Sequence, residues 1–261
     1  MTHKSAPSDP VRDGDTIAVW FSCGAASAVA AHETLRRYGD RCTVRVINTP
    51  VAEEHADNRR FCDDVAAWLG VKIETAINPD YPESSAVVVW QKRKAMSFAH
   101  GGAPCTVHLK KEARQHWEAI YRPDWHVLGF TAEECHRHDN FVLTERSNLL
   151  PVLIDANLSK AECAQRLVEA GVRLPEIYRL GYPNANCIGC VKATSPTYWN
   201  HVRKTHPDVF QERAKQSREL GVRLVRVKDE RLFLDELDPA SRGAPLKSIQ
   251  HECGLFCEET A

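Results

Sequence analysis

The sequence predicts an α/β chain: a mostly parallel, twisted sheet with helices on both faces, followed by a C-terminal helical and tail extension. Two observations carry this. Short β-branched and aromatic runs alternate with helix-period segments from residue 16 to about 171, and that alternation builds parallel sheets with crossover helices. The rhythm stops near residue 195, after which helical and polar segments run to the end.

Taken in order, "TIAVWFS" (16–22) reads as a buried strand, apolar enough to be covered on both faces. A small-residue loop leads into the helix "AVAAHETLRRY", which Gly39 stops. "CTVRVI" (42–47) is the second strand. The segment "EEHADNRRFCDDVAAWLG" places Phe61, Val65, Trp68 and Leu69 on one helical face and ends at Gly70. "VKIETAI" (71–77) alternates as a third strand. A helix is expected near 84–96 and another over 108–121. Strand 125–130, helix 132–138, strand 149–154 and helix 159–170 follow. Beyond 195 the sequence predicts helices to about 220, a strand "VRLVRV" and a partner "RLFLDEL". The expected organisation is a flexible leader (1–15), a nucleotide-binding domain (16–194) and a C-terminal extension with a cysteine tail (195–261).

The chain of 261 residues is 43% hydrophobic and 26% charged with net charge -1. This balance suits a soluble globular protein and gives no global cationic surface for nucleic acid. The polar N-terminus "MTHKSAPSDPVRDGD" lacks the apolar core of a signal peptide, and no apolar run is long enough to span a membrane. A cytoplasmic location is expected. Ten cysteines in such a chain then point to metal binding or catalysis before structural disulfides.

Three cysteine-bearing or glycine-bearing stretches stand out. "FSCGAASAVAAH" joins a strand to a helix, so its backbone N–H groups and the helix dipole favour an anion, with Ser22 and Ser27 as hydroxyl donors and Gly24 permitting close approach. "CIGC" (187–190) is half of a zinc, iron–sulfur or redox site. Cys105 stands 82 residues before it in "HGGAPCT", where Pro104 and Thr106 suggest an exposed loop. Cys42, Cys62 and Cys163 read as small buried residues. His136 and His138 read as polar loop residues. Lys110, Lys111, Arg137 and Lys192 are candidate cations for an anionic ligand.

These stretches together resemble the phosphoadenosine phosphosulfate (PAPS) reductase-like family of the adenine nucleotide alpha-hydrolase (PP-loop) superfamily. The loop S-C-G-A-A-S keeps two serines and a glycine of the superfamily's S-G-G-x-D-S pattern, with Ala26 in the place of the acid. "VINTPVAEEHADNRRF", "GAPCTVHLKKEAR", "VLGFTAEECHRHDNF" and "CIGC…TYWNHVRKTHPDVF" match later segments in order, with Phe130 where the family often has Arg. The tail "HECGLFC" is similar to the Glu-Cys-Gly-Leu end of sulfonucleotide reductases, except for Phe256-Cys257 in place of His.

The resemblance implies an adenine nucleotide substrate bound by Ser22, Cys23, Gly24, Ser27, Asn48, Thr49, Gly129, Arg137 and Lys110. It implies a [4Fe–4S] cluster on Cys105, Cys187 and Cys190 with Cys257 or Cys253 as fourth ligand, zinc remaining a chemical alternative. It implies a catalytic tail thiol, Cys253, that attacks the sulfur of adenylyl sulfate or phosphoadenylyl sulfate before a thioredoxin- or glutaredoxin-like reductant releases sulfite. Two other functions stand beside this one. One is an ATP-using sulfur transferase acting in tRNA or DNA thiolation with a sulfur-donor protein. The other is a non-catalytic nucleotide-binding metal protein. No membrane partner is expected, and a homodimer stays open.

Overall fold

The computed structural model of the chain describes residues 9–96 and 103–246. Its centre is a four-stranded parallel sheet in the order β3-β2-β1-β4, formed by β1 (Thr16–Phe21), β2 (Thr43–Asn48), β3 (Ile73–Thr75) and β4 (Trp125–Val127). β1 pairs along its whole length with β2, from Thr16 opposite Thr43 to Phe21 opposite Asn48. It carries both cores because a strand turns alternate side chains to opposite faces. Ile17, Val19 and Phe21 enter one cluster with Val29, Phe61, Val65, Leu153 and Leu167. Ala18 and Trp20 enter the other with Ile47, Ala76 and Trp117.

The crossover helices pack where the periodicity places them. α1 (Ala25–Tyr38) buries Ala28, Val29, Ala30 and Ala31, small residues that let it lie close on the sheet. α2 (Asp57–Leu69) buries Phe61 and Val65 and closes on Gly70, whose left-handed φ of 66° lets its N–H reach the last carbonyls. α3 (Ala86–Arg93) follows. The expectation of helix from Glu53 is corrected. Glu53 caps α3 from outside: its carboxylate accepts Ala86 N–H at 2.8 Å, Val87 N–H at 3.2 Å and the Ser85 hydroxyl at 2.7 Å. A carboxylate at a helix N-terminus is favourable on both hydrogen-bond and dipole grounds.

Several other sequence expectations are corrected. Pro104 and Thr106 are not exposed loop: α4 (Pro104–Thr106) begins a helix that passes through a π-helical turn, Val107–Lys111, into α5 (Glu112–Tyr121). Proline is at home at a helix start. The strand expected over 149–154 shrinks to one parallel bridge, Leu149 to His126, and then α7 (Val152–Asp155). Pro151 has no N–H to continue a ladder. The helix expected at 132–138 is a 3₁₀ turn, Ala132–Glu134, followed by α6 (Cys135–Thr144), so His136 and His138 are helical rather than loop residues. Residues 9–15 of the expected leader are held in place: Val11 is buried, and Arg41 pairs with Asp9 at 2.5 Å and Asp13 at 3.2 Å.

The remaining elements are α8 (Lys160–Glu169), α9 (Glu176–Arg179), α10 (Pro196–Thr205), α11 (Pro207–Glu219) and an antiparallel pair, β5 (Val225–Val227) and β6 (Glu230–Leu232). One apolar cluster joins Val51, Val89, Trp90 and Leu109 to Ile177, Cys190, Trp199, Phe210 and Leu234. Core packing therefore runs across residue 194, where the sequence pattern changes. Among the described residues no helix is long and apolar enough to cross a membrane.

Candidate functional site

One loop follows β1 and a second is hydrogen-bonded to the chain that leaves β2; ligands bind beyond the carboxyl ends of the strands in sheets of this kind. The first runs from Ser22 to Ser27. Cys23 takes a left-handed φ of 56°, which turns the chain sharply from strand into helix. Ser27 closes the turn. Its hydroxyl accepts the Ser22 N–H at 3.1 Å, stands 3.2 Å from the Ser22 hydroxyl and donates to the Gly24 carbonyl at 3.0 Å. No acid lies in the first turn of α1, so the positive end of its dipole is uncompensated by charge. Gly129 abuts this turn: a Cβ there would stand 2.9 Å from Ser27 N and 3.1 Å from Ser27 Cα. Its place in the site is thus to let the loop after β4 touch α1.

Sequence reasoning missed Tyr178 of α9. Its hydroxyl accepts the Ala25 N–H at 3.3 Å and lies 3.4 Å from where a Gly24 Cβ would be. A single tyrosine 153 residues away in sequence carries no local signal of such a contact.

The other nucleotide candidates are engaged within the protein. Asn48 is buried, and its side-chain N–H groups donate to Phe21 O at 2.8 Å and Cys23 Sγ at 3.5 Å. It struts the end of β2 against the first loop. Lys110, expected to bind the nucleotide, is 4% exposed. The π-helical turn rotates it inward, where its ammonium donates to the Thr49 carbonyl and pairs with Glu54 at 3.0 Å. Arg137 pairs with the buried Glu134 and lies over the Phe130 ring at 5.3 Å.

The second loop is the Cys187–Cys190 turn. Gly189 has φ 68°, and a Cβ on it would meet Val209 Cγ1 at 3.0 Å and Arg213 Cγ at 3.2 Å. Both conformation and space therefore require glycine. The Cys190 N–H donates to the Tyr198 hydroxyl at 2.9 Å. Ile188 N–H donates to Glu53 O at 3.0 Å, and Asn58 Nδ2 donates to Ala185 O at 3.2 Å, so the turn is fastened to the segment that leaves β2. Arg213, 3% exposed, donates to Gly189 O at 3.3 Å and stacks 4.7 Å from the Trp90 ring. Burial pushes its pKa down, while Glu53 and Cys187 favour its charge. This cation beside the thiols was not singled out in the sequence. Burial also pushes the Tyr198 hydroxyl upward, so it stays protonated.

Cys105, Cys187 and Cys190 share one apolar cluster. Among the described residues, however, no group of three or more His, Cys, Asp or Glu is spaced to hold a metal ion. Cys253 and Cys257 lie outside the described residues. Cys163 is buried on α8 with its thiol pushed up to about 12, an inert core residue as expected.

No family model matches the sequence, and no curated protein matches it. Among solved structures the chain is similar to the U34-tRNA thiolase NcsA from Methanococcus maripaludis, described with its [4Fe–4S] cluster, at 11% identity and a TM-score of 0.44, over 95% of this chain and 85% of that one.

Proposed function

We propose that this chain is an ATP-using sulfur transferase: it binds the nucleotide phosphates at Ser22–Ser27 and transfers sulfur with the thiols of the Cys187–Cys190 turn. The observation that carries the reading is the fastening of that turn to the chain leaving β2, through Ile188 N–H to Glu53 O and Asn58 to Ala185 O, at the same end of the sheet as the dipole-bearing turn of α1. The anion and the thiols then belong to one site.

In this reading an acceptor oxygen on a nucleic-acid base attacks the α-phosphorus of ATP and pyrophosphate leaves. A persulfide on one cysteine, loaded by a sulfur-donor protein, displaces AMP from the activated carbon and forms a carbon–sulfur bond. The second thiolate then attacks the cysteine sulfur of that linkage, which leaves a disulfide on the protein and the thiolated base. A dithiol reductant restores the two thiols. The buried Arg213 sets a cation beside the turn through its bond to Gly189 O, and Ser22 and Ser27 offer hydroxyls to the phosphates.

The Glu252-Cys253-Gly254-Leu255 tail favours a second reading, a sulfonucleotide reductase. There the tail thiolate attacks the sulfate sulfur, AMP leaves, and a reductant thiol releases sulfite. One experiment separates the two. Radiolabelled ATP and adenylyl sulfate are supplied in parallel with transfer RNA, a persulfide donor and a dithiol reductant. Pyrophosphate and thiolated RNA are expected, with the thiolated RNA lost in Cys187→Ser. Sulfite release from adenylyl sulfate, lost in Cys253→Ser, would replace the first reading by the second.

A further inference from the structure

α10 has a second side that the thiol turn does not use. Tyr198, Trp199 and Val202 are buried on one side of this helix, and the Tyr198 hydroxyl holds the Cys190 N–H. Thr197, Asn200, His201 and Lys204 recur at i, i+3, i+4 and i+7, so they share another side. A strap of chain, residues 238–246, is fastened along it. Asn200 Nδ2 donates to Asp238 O and Ser241 O, both at 3.0 Å. The Thr197 hydroxyl donates to Gly243 O at 3.1 Å and accepts the Gly243 N–H at 2.8 Å, and the Ser195 hydroxyl donates to Ala244 O at 3.1 Å. Helix and strap bound an open groove of about 380 Å³.

The groove is cationic. Arg203, Lys204 and Arg242 line it, and no acid does. Lys204 and Arg242 are exposed. Arg242 donates to the carbonyls of Pro239 and Ser241 at 2.9 Å, contacts that orient the guanidinium without neutralising it. Arg203 is fixed by bonds to Leu237 O at 2.7 Å and Asn200 Oδ1 at 2.8 Å, so it adds charge but is not free to move. Asp238 is the one acid of the strap, and it turns an oxygen to the Ala240 N–H at 2.9 Å. His201 lines the groove as a neutral ring: burial holds its imidazole below the ordinary value, with Lys204 assisting against a bond to the Leu180 carbonyl. Three cations against one acid leave a local excess of positive charge in a chain whose net charge is -1. Such a groove attracts a polyanion.

We propose that this groove seats the phosphodiester backbone of a looped RNA, the acceptor of the sulfur transfer. The identity of the strand rests on the sulfur-transferase reading. A base can be attacked only outside a stack, and a base in a single-stranded loop is already there, whereas a duplex must first be opened. The strand around that base carries a charge on every phosphate, which a cationic groove can track. α10 serves both needs, since one side touches the thiol turn through Tyr198 and another lines the groove, within one helix diameter, ~10 Å. Lys204 offers a point charge and Arg242 a bidentate fork to phosphate oxygens. Contacts of this kind position a strand without reading its sequence.

The full chain is titrated with unmodified transfer RNA across a range of salt concentrations, for wild type, for Lys204→Gln/Arg242→Gln and for Lys72→Gln/Arg12→Gln. The last pair removes the same charge from two exposed cations that precede β3 and β1, at the other end of the sheet. Lys204 and Arg242 are exposed, so the groove variant is expected to unfold as wild type does. It is expected to bind RNA about tenfold more weakly, with the slope of log affinity against log salt reduced by about 1.4, two contacts at about 0.7 each. The control pair is expected to bind as wild type. Wild type that binds no RNA, equal affinity and slope in wild type and the groove variant, or an equal loss in the control each overturn the proposal. Tighter binding of duplex DNA or of polyglutamate than of RNA assigns the groove to another partner and overturns it too. Groove-dependent RNA binding without any thiolated RNA sinks the sulfur-transferase reading and leaves the groove an RNA site. Thiolation that proceeds unchanged in the groove variant keeps that reading and overturns the groove.

Discussion

The Ser22–Ser27 loop and the Cys187–Cys190 turn sit at one end of the sheet but are held in opposite ways. The first is mostly self-closing: Ser27 bonds to Ser22 and Gly24, all within five residues. The second is held from afar, by Glu53, Asn58, Tyr198 and Arg213. A loop that closes on itself can be read from its own letters. A turn that depends on remote partners shows its cysteines in the sequence and hides what holds them.

Lys110 is a joint within the chain that leaves β2, because it links Thr49 to Glu54, the residue after the carbonyl that holds Ile188. Lys110→Met leaves a buried carboxylate without its ammonium and is expected to cost about 3–5 kcal/mol, read by urea unfolding. If unfolding is unchanged and only ATP affinity falls, Lys110 serves the ligand rather than the joint.

The two glycines separate the regions. Gly129→Ala forces a Cβ onto the backbone of Ser27 and is expected to cost about 1–3 kcal/mol, with ATP affinity reduced and the reactivity of Cys187 and Cys190 toward a thiol reagent unchanged. Gly189→Ala, strained in conformation and crowded by Val209 and Arg213, is expected to cost about 1–3 kcal/mol and to raise thiol reactivity while leaving ATP affinity in place. Identical profiles for the two variants would mean that the loops are one unit. Tyr198→Phe removes the acceptor of the buried Cys190 N–H. It is expected to cost about 1 kcal/mol and to speed amide exchange at Cys190.

The smallest effect at neutral pH concerns His126, beside β1. Burial, with Arg146 and Arg114, pushes its imidazole down from 6.5 to about 3. The unfolded chain therefore takes up this proton first. The stability held by neutral His126 is complete above about pH 6.5 and is lost as pH falls toward 3. His126→Gln should flatten the acid limb of a stability–pH profile; an unchanged limb would assign it to other groups.

Much of the sheet was legible. β1 is buried on both faces and α2 has a strict apolar stripe, so residue pattern and burial agree. The first loop was legible for the same reason, and so was the pair of cysteines at 187 and 190. The strand expected after 149 was not, because Pro151 cuts a ladder that apolar content alone suggests. The cations were read least well. Lys110 and Arg137 have the right charge beside the right motifs, but charge in a sequence does not say which partner claims it. The fold gave them to Glu54 and Glu134 and brought Arg213, which lies just past the matched segment, to the Cys187–Cys190 turn.

The sequence by itself determined the alternation of strand and helix, the small-residue turn after β1 and the spacing of the thiols, since each follows from local periodicity or local chemistry. Only the tertiary structure decided which hydroxyl meets the α1 N-terminus and which cation lies beside the Cys187–Cys190 turn. Those are contacts between residues far apart in the chain, set by how helices of different faces close on one sheet, and no pattern along the backbone records them.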